Sequence, residues 1–359
     1  KSQGAKVISL DISHKEDNLL IGFKNNHIAT CNLSAICNGD IARVYVKENE
    51  IERDRERDKE NNRDNEKLKR VPFNYVYMGF HNGSIDFIEV CAQRPLVATC
   101  SNEDGFVRIW NYMDFKSEFA FRTKPDAPDS ELTKPLQCMA FHPGGYYLAL
   151  GTTSALRLIY IMEEKTYEYR DINIKNVNII KFSRGGQYLA VSNPIKKGTN
   201  PIYQVTIYDS YTLEFVDSFH AHTNILTDMV WGYGDNGLYT CGLDGSIKIW
   251  TKPRDQKELE EFPSEKNTQY TSITVDKAGV MYLVAEEVGG SGRCMLQMRT
   301  KNGPVVSFPF KEKKKATRIR LFETPTGAEA LMVGTEEGKI MVFPKSIREG
   351  DYQHLCNHI

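Results

Sequence analysis

Phe141-His142-Pro143-Gly144-Gly145-Tyr146-Tyr147-Leu148-Ala149-Leu150-Gly151 is echoed, 41 positions on, by Phe182-Ser183-Arg184-Gly185-Gly186-Gln187-Tyr188-Leu189-Ala190-Val191-Ser192. Each copy reads as a short strand, a Gly-Gly turn that supplies positive φ at no steric cost, and a second apolar strand ending at a small residue. One supersecondary unit written twice signals a repeat architecture. Looser copies run from Ile8 to Gly22, Ile85 to Thr99, Trp231 to Cys241, Val275 to Ala285 and Leu321 to Gly334, making seven units.

A third strand follows each hairpin, as in Val107-Arg108-Ile109-Trp110, Val205-Thr206-Ile207-Tyr208 or Ile247-Lys248-Ile249-Trp250. A fourth, less apolar segment comes after it, as in Glu118-Phe119-Ala120-Phe121 or Phe215-Val216-Asp217-Ser218. Four strands per roughly 45-residue unit, with no periodic helix between them, is the arithmetic of a propeller blade. The expectation is an all-β, seven-bladed β-propeller with four antiparallel strands per blade, one domain over residues 1–359. Its closure would remove long exposed edges. Each unit is expected to run from innermost to outermost strand, with Tyr352 to His358 left as the outermost strand of the last blade.

Composition narrows the function classes. The 46 Lys+Arg against 47 Asp+Glu give a formal net charge of −1, which is not the surplus of indiscriminate phosphate-backbone binding. No nucleic-acid partner is expected. No stretch approaches the roughly 18 to 20 apolar residues of a membrane-spanning helix, so no membrane partner is expected either. The start, Lys1-Ser2-Gln3-Gly4, has neither an initiator Met nor a signal-peptide core and reads as an internal piece of a longer chain. The eight cysteines form no C-x-x-C pair, and most sit in apolar strand-like runs. They read as buried reduced thiols of a cytosolic protein rather than metal ligands or a disulfide frame.

Two units carry a fuller polar set. His81, Thr99, Asp104 and Trp110 recur at nearly the same spacing as His222, Thr240, Asp244 and Trp250, with one extra residue between Thr99 and Asp104. These runs resemble WD40 repeats. The resemblance implies that the four side chains form a hydrogen-bonded network tying together the three inner strands of a blade. Asn111 and Thr251 stand directly after the tryptophans, where the family usually has Asp. Such a network needs every member paired, because an orphaned buried partner costs on the order of 1–3 kcal/mol. A His with a nearby Asp and Thr also invites a catalytic-triad reading. That reading is set aside because the spacing occurs twice inside repeats and no oxyanion hole adjoins it. Gly334-Thr335-Glu336-Glu337-Gly338-Lys339-Ile340 is one residue short of a phosphate loop, lacks the Ser/Thr after Lys and precedes a strand. No enzyme signature survives, and no cofactor is expected.

Residues Lys47 to Arg70 are the low-complexity segment, with nine basic and nine acidic side chains. The mixed charges suit a short salt-bridged helix or a solvated insertion, and so little to bury fits the second better. It falls between the third and fourth strands of the first blade, a connection that WD40 geometry puts on the bottom rim. Lys311, Lys313, Lys314, Lys315 and Arg318 gather in the connection leading to the last blade, and Lys196 and Lys197 occupy a hairpin tip. The WD40 resemblance puts both on the top face. An acidic partner surface is the functional reading of these lysines, and an ordinary soluble loop is the alternative.

Ile85-Asp86-Phe87-Ile88-Glu89-Val90-Cys91, Arg94-Pro95-Leu96-Val97-Ala98-Thr99-Cys100-Ser101 and Val107-Arg108-Ile109-Trp110-Asn111-Tyr112 give the most specific likeness. With Phe141-His142-Pro143-Gly144-Gly145 and Leu156-Arg157-Leu158, this wording is similar to the cilia- and flagella-associated WD-repeat proteins of the axoneme. The likeness extends in order over nearly the whole chain, and the charged insertion departs from it. It implies a second propeller of a protein with another propeller before it and a coiled coil after it. Such proteins help anchor and regulate inner dynein arms on doublet microtubules. The implied partners are axonemal subunits, namely inner dynein arm or coiled-coil proteins, or tubulin, in the cytoskeleton of the cilium or flagellum. A generic intracellular WD40 adaptor, in ciliary transport or as a ubiquitin-ligase substrate receptor, is the second reading. A propeller hydrolase would require acidic or metal-binding side chains converging on the central channel, for which no cluster is visible in the sequence.

Overall fold

The structure is a computed structural model. The structure describes residues 7–12, 18–23, 27–32, 74–78, 81–114, 116–122, 135–161, 169–197, 200–251, 259–262, 267–289, 293–301, 303–310, 315–323, 327 and 329–345. These form antiparallel sheets whose strands follow one another in chain order. Blade one holds Val7–Ile12, Asn18–Phe23, His27–Asn32 and Asn74–Met78; blade two holds Phe87–Val90, Leu96–Ser101, Phe106–Asn111 and Lys116–Arg122. Blade three runs Leu136–Phe141, Tyr147–Thr152, Leu156–Tyr160 and Tyr169–Ile172, and blade four Ile179–Phe182, Tyr188–Lys197, Asn200–Asp209 and Phe215–His222. Blade five has Leu226–Trp231, Gly237–Gly242, Ile247–Thr251 and Leu259–Phe262, and blade six Thr268–Val275, Met281–Glu287, Cys294–Arg299 and Val306–Pro309. A closing sheet of Ala316–Glu323, Glu329–Thr335 and Ile340–Pro344 completes the set.

The expectation of seven four-stranded blades is therefore corrected: six blades are four-stranded, and the closing sheet has three strands among the described residues. The physical reason is hydrogen bonding at the sheet edge: Ile340–Pro344 pairs with Glu329–Thr335 on one side, and no described strand pairs with its other side. The expected strand from Tyr352 to His358 lies outside the described residues, as does the insertion from Lys47 to Arg70. The innermost strand of each sheet packs on that of the next, and Ala316–Glu323 returns to Val7–Ile12, so the propeller closes by packing between sheets.

The two copies of the Gly-Gly hairpin take the same register, Phe141 opposite Leu148 and Phe182 opposite Leu189. Gly145 and Gly186 sit at φ +76° and +78°, where a side chain would be strained. A Cβ on Gly145 would also lie 2.6 Å from Cys91 Sγ of blade two, and one on Gly186 would lie 2.6 Å from His142 Nε2 of blade three. The turns of neighbouring blades thus interlock, which is a second reason for glycine.

The core lies between blades. Second strands have neighbours on both faces, so Leu96–Ser101 is buried throughout, which suits its continuous apolar run. Ala98 and Ile109 of blade two pack with Leu148 and Ile159 of blade three, and Leu296 of blade six with Ile319, Leu331 and Phe343 of the closing sheet. Each buried Leu, Ile or Phe contributes about 1.5–3 kcal/mol against exposure. Cys91, Cys100, Cys138, Cys241 and Cys294 are buried free thiols in these layers.

Candidate functional site

In blade two, His81 Nδ1 lies 2.8 Å from Asp104 Oδ2 and Nε2 lies 2.9 Å from Thr99 Oγ1. Trp110 Nε1 donates to the same Thr99 hydroxyl at 2.8 Å. The Thr99 oxygen accepts from the indole, so its own proton is available to His81 Nε2, and the imidazole proton then sits on Nδ1 facing the carboxylate. Burial, only partly offset by the charge of Asp104, pushes the His81 pKa below its usual value and keeps the ring neutral. Asp104 also takes the N–H groups of Asn82 (3.2 Å) and Phe106 (2.9 Å), fixing the turn between second and third strands.

Blade five repeats the first half of this relay and not the second. His222 Nδ1 lies 3.0 Å from Asp244 Oδ1, and Nε2 lies 3.0 Å from Thr240 Oγ1. Burial raises the Asp244 pKa, but hydrogen bonds and charge from His222, with the N–H and hydroxyl of Ser246, hold it well below the carboxylate range. The Thr240 hydroxyl donates to the carbonyl of Lys248 at 3.4 Å. Trp250 Nε1 is buried with no hydrogen-bond partner among the described residues. Its ring is stacked instead on Phe219 of blade four, centroids 3.6 Å apart.

The axis holds a cluster that the sequence reading missed. Asp11, Glu89, Lys181, Asp228, Arg318 and Arg320 come from the innermost strands of five sheets. Lys181 Nζ reaches across from blade four to Glu89 of blade two at 2.9 Å. Asp228 Oδ2 accepts from Ser272 Oγ at 2.6 Å and from the Ile273 N–H at 3.3 Å, both on blade six, with Arg320 Nη1 3.9 Å away. Asp11 Oδ2 likewise takes the Val90 N–H of blade two at 2.7 Å. Both aspartates thus staple one blade to the next. Burial and the charge of Glu89 push the Asp11 pKa up to about 6 despite Arg320 and Lys181. Asp228 is desolvated too, yet Arg318, Arg320 and Lys181 hold its carboxyl below the usual range. The available signal was a lone charge in four of the innermost strands, as in Ile180-Lys181-Phe182, and the arginine pair in Arg318-Ile319-Arg320 of the closing sheet. Chemically the cluster is carboxylates matched with cations, and no group of three or more His, Cys, Asp or Glu among the described residues could hold a metal ion.

The basic connection is partly described. Lys315 is exposed and pairs with Glu286 at 3.3 Å, which raises its pKa. Arg318 is half-buried and lines, with Lys315, Glu286, Glu336, Thr271 and Thr317, a cavity of about 280 Å³ where blade six, the closing sheet and blade one meet. Lys311, Lys313 and Lys314 lie outside the described residues. Lys196 and Lys197 pair through their backbones with Pro201 and Asn200 at a hairpin tip. Because strands alternate in direction, this tip and the turn that ends at Lys315 share the face bearing second-to-third turns.

The family model for the WD domain, G-beta repeat, matches residues 213–251, a span from the outer hairpin of blade four through Trp250. Cilia- and flagella-associated protein 57 A of Tetrahymena thermophila is 30% identical over 201 residues, 55% of this chain and 14% of that protein. Cilia- and flagella-associated protein 57 of Mus musculus is 27% identical over 216 residues, 60% of this chain and 16% of that one. The chain thus spans about one-seventh of the length of these relatives. Among solved structures, the β-propeller domain of Myceliophteria thermophila Cps50 (Swd1) superposes with a TM-score of 0.68 over 96% of this chain and 98% of its own at 15% identity, a likeness of fold. The chain carries a WD40 repeat at residues 213–251, folds as a β-propeller, and is homologous to the cilia- and flagella-associated proteins 57 at 27–30% identity over 55–70% of its length.

Proposed function

We propose that this chain is a non-catalytic docking domain that helps hold and regulate inner dynein arms on doublet microtubules in cilia and flagella. The single observation that carries this reading is the similarity to cilia- and flagella-associated protein 57 from a ciliate and from a mammal. The geometry agrees with docking: the two His–Asp–Thr sets bind their own blades, and the axial carboxylates are bonded to neighbouring blades or cations. Lys196, Lys197 and the connection from Lys311 to Arg318 form the proposed contact for an acidic axonemal partner, a coiled-coil subunit or tubulin.

The test is replacement of the chain, within its full-length protein, in a ciliated cell. Deletion of this propeller should reduce inner dynein heavy chains in isolated axonemes, quantified against outer-arm dynein. Inner-arm content equal to that of unaltered cells would overturn the dynein assignment. Reversing Lys313, Lys314 and Lys315 to Glu should weaken axonemal retention and flatten its salt dependence, since exposed charges are screened beyond about 8 Å at physiological ionic strength. Reversing Lys59 and Arg63 in the charged insertion is the matched control.

A further inference from the structure

Six large apolar side chains are exposed among the described residues, and four of them share one face over three consecutive blades. These are Met113 (60% exposed), Tyr146 (59%), Tyr211 (58%) and Phe215 (63%). Tyr146 follows the first-to-second strand turn of blade three, while Met113, Tyr211 and Phe215 sit at third-to-fourth turns of blades two and four. Antiparallel order puts both kinds of turn on the same side, opposite Lys315. The patch is continuous at its centre. The Tyr211 ring lies 5.5 Å from His142, and a Cβ on Gly144 would meet the His142 ring at 3.3 Å and Tyr146 at 3.6 Å. Gly144 is thus a low floor between two exposed tyrosines.

Two arginines are fixed along the inner edge of this patch. Arg94 of blade two lies over the Tyr146 ring at 5.6 Å and gives one N–H to the Gly145 carbonyl at 3.2 Å. Arg184 of blade four lies over the Tyr233 ring of blade five at 3.9 Å and gives Nε–H to the Trp231 carbonyl at 3.1 Å. A guanidinium carries five N–H donors, so each arginine keeps donors beyond the one bond described, and Arg184 is exposed. Nearby acids are already engaged, Asp235 on an inner turn and Asp209 at the outer turn of blade four. Asp235 takes the N–H groups of Arg184 and Gly185 at 2.8 and 2.9 Å, and Asp209 Oδ1 caps Tyr211 and Thr212 at 3.0 Å each. The exposed acids Asp114 and Glu214 stand at the outer turns, beside Met113 and Phe215.

From this arrangement, basic within and acidic at the rim, we propose that the face opposite Lys315 is a second docking surface, for an extended acidic–apolar segment of a protein partner. The segment crosses blades two to five along the inner turns. Its carboxylates take the outward N–H groups of Arg94 and Arg184, and its apolar side chains cover Tyr146, Gly144 and Tyr211. Arginine and tyrosine are the side chains in which interface energy concentrates, and stacking on a ring holds each guanidinium in place before the partner arrives. A basic segment would meet those two guanidiniums head-on.

The test uses the 359-residue chain and short fluorescent peptides of alternating Glu with Phe or Leu, beside versions with Lys or Gln in place of Glu. Anisotropy should show the Glu peptide bound at least about tenfold more tightly than the Lys peptide, with the preference shrinking at high salt. Tyr146→Ser with Tyr211→Ser should weaken the Glu peptide about tenfold, and Arg94→Gln with Arg184→Gln about fivefold while removing the salt dependence. Lys315→Glu, on the opposite face, should leave binding unchanged, which separates this surface from the proposed axonemal contact. The arginine pair gives the same reading should the tyrosine pair fail to fold, as judged by the thermal midpoint. Equal binding of the Lys peptide, or Glu-peptide binding that neither pair of substitutions alters, would overturn the proposal.

Discussion

Blades two and five carry the same four residue types, yet only blade two completes the chain of hydrogen bonds. There Asp104, His81, Thr99 and Trp110 lie in one continuous line, each link between 2.8 and 2.9 Å. In blade five the line stops at Thr240, and Trp250 leans onto Phe219 with its N–H unpaired among the described residues. The difference teaches that a repeat's signature residues secure their turn and their tryptophan separately. The Asp–His half anchors the top turn in both blades. The Thr–Trp half is made in blade two, where the indole N–H reaches Thr99, and not in blade five, where Trp250 stacks on Phe219.

The largest effect that could break this comparison is truncation of the tryptophans. Trp110→Ala should cost about 3–5 kcal/mol through the cavity alone, and the stranded Thr99 and His81 would add to that. Trp250→Ala, at a half-buried ring already lacking a hydrogen bond, should cost roughly half as much. Urea midpoints of the two variants decide the matter, and equal losses would mean that the two networks are energetically alike. Phenylalanine sharpens the test because it keeps most of the ring and deletes only the donor. Trp110→Phe should lower stability by about 1–3 kcal/mol. Trp250→Phe should be neutral or slightly stabilising, since a buried unpaired N–H is removed, and a clear loss there would imply a partner for the indole.

The histidine–aspartate halves should separate by pH. His81 has its folded pKa below the ordinary 6.5, so the unfolded chain binds more protons below that value and stability falls as pH drops through it. Asp244 has its folded pKa below the ordinary 3.8, so its contribution is complete above that value and is lost as pH falls further. His81→Gln should therefore remove a loss of melting temperature that starts near pH 6.5, whereas Asp244→Asn should remove one confined to strongly acid solution. Profiles in which both substitutions act over the same pH range would erase the distinction.

The smallest expected effect lies at the axis and has the opposite sign. Asp11 titrates at about 6 in the fold against 3.8 ordinarily, so between those values the folded chain binds more protons and stability falls as pH rises. Asp11→Asn keeps an oxygen for the Val90 N–H and should flatten that slope, leaving stability at pH 7 equal or slightly higher. A melting temperature that climbs with pH across this window in the unaltered chain, and is unchanged by the substitution, would show that Asp11 is not the titrating group.

The sequence by itself determined the repeat, the strand order within each unit and the Gly-Gly turns. These depend on local chemistry: alternation of apolar side chains, positive φ at Gly145 and Gly186, and small residues where neighbouring turns approach. The spacing of His, Thr, Asp and Trp could also be read directly, because all four fall within one blade. Three further features were decided only by tertiary structure. The axial cluster assembles from single charges up to 309 positions apart, Asp11 to Arg320, which no local pattern brings together. The fate of Trp250 depends on Phe219 in a different blade. The arc of Arg94, Tyr146, Tyr211 and Arg184 exists because a propeller presents its turns side by side, whereas along the chain these residues are only ordinary turn residues. The closing sheet marks the same divide: the order of its three strands could be read along the chain, whereas a strand is established only by the edge it bonds to.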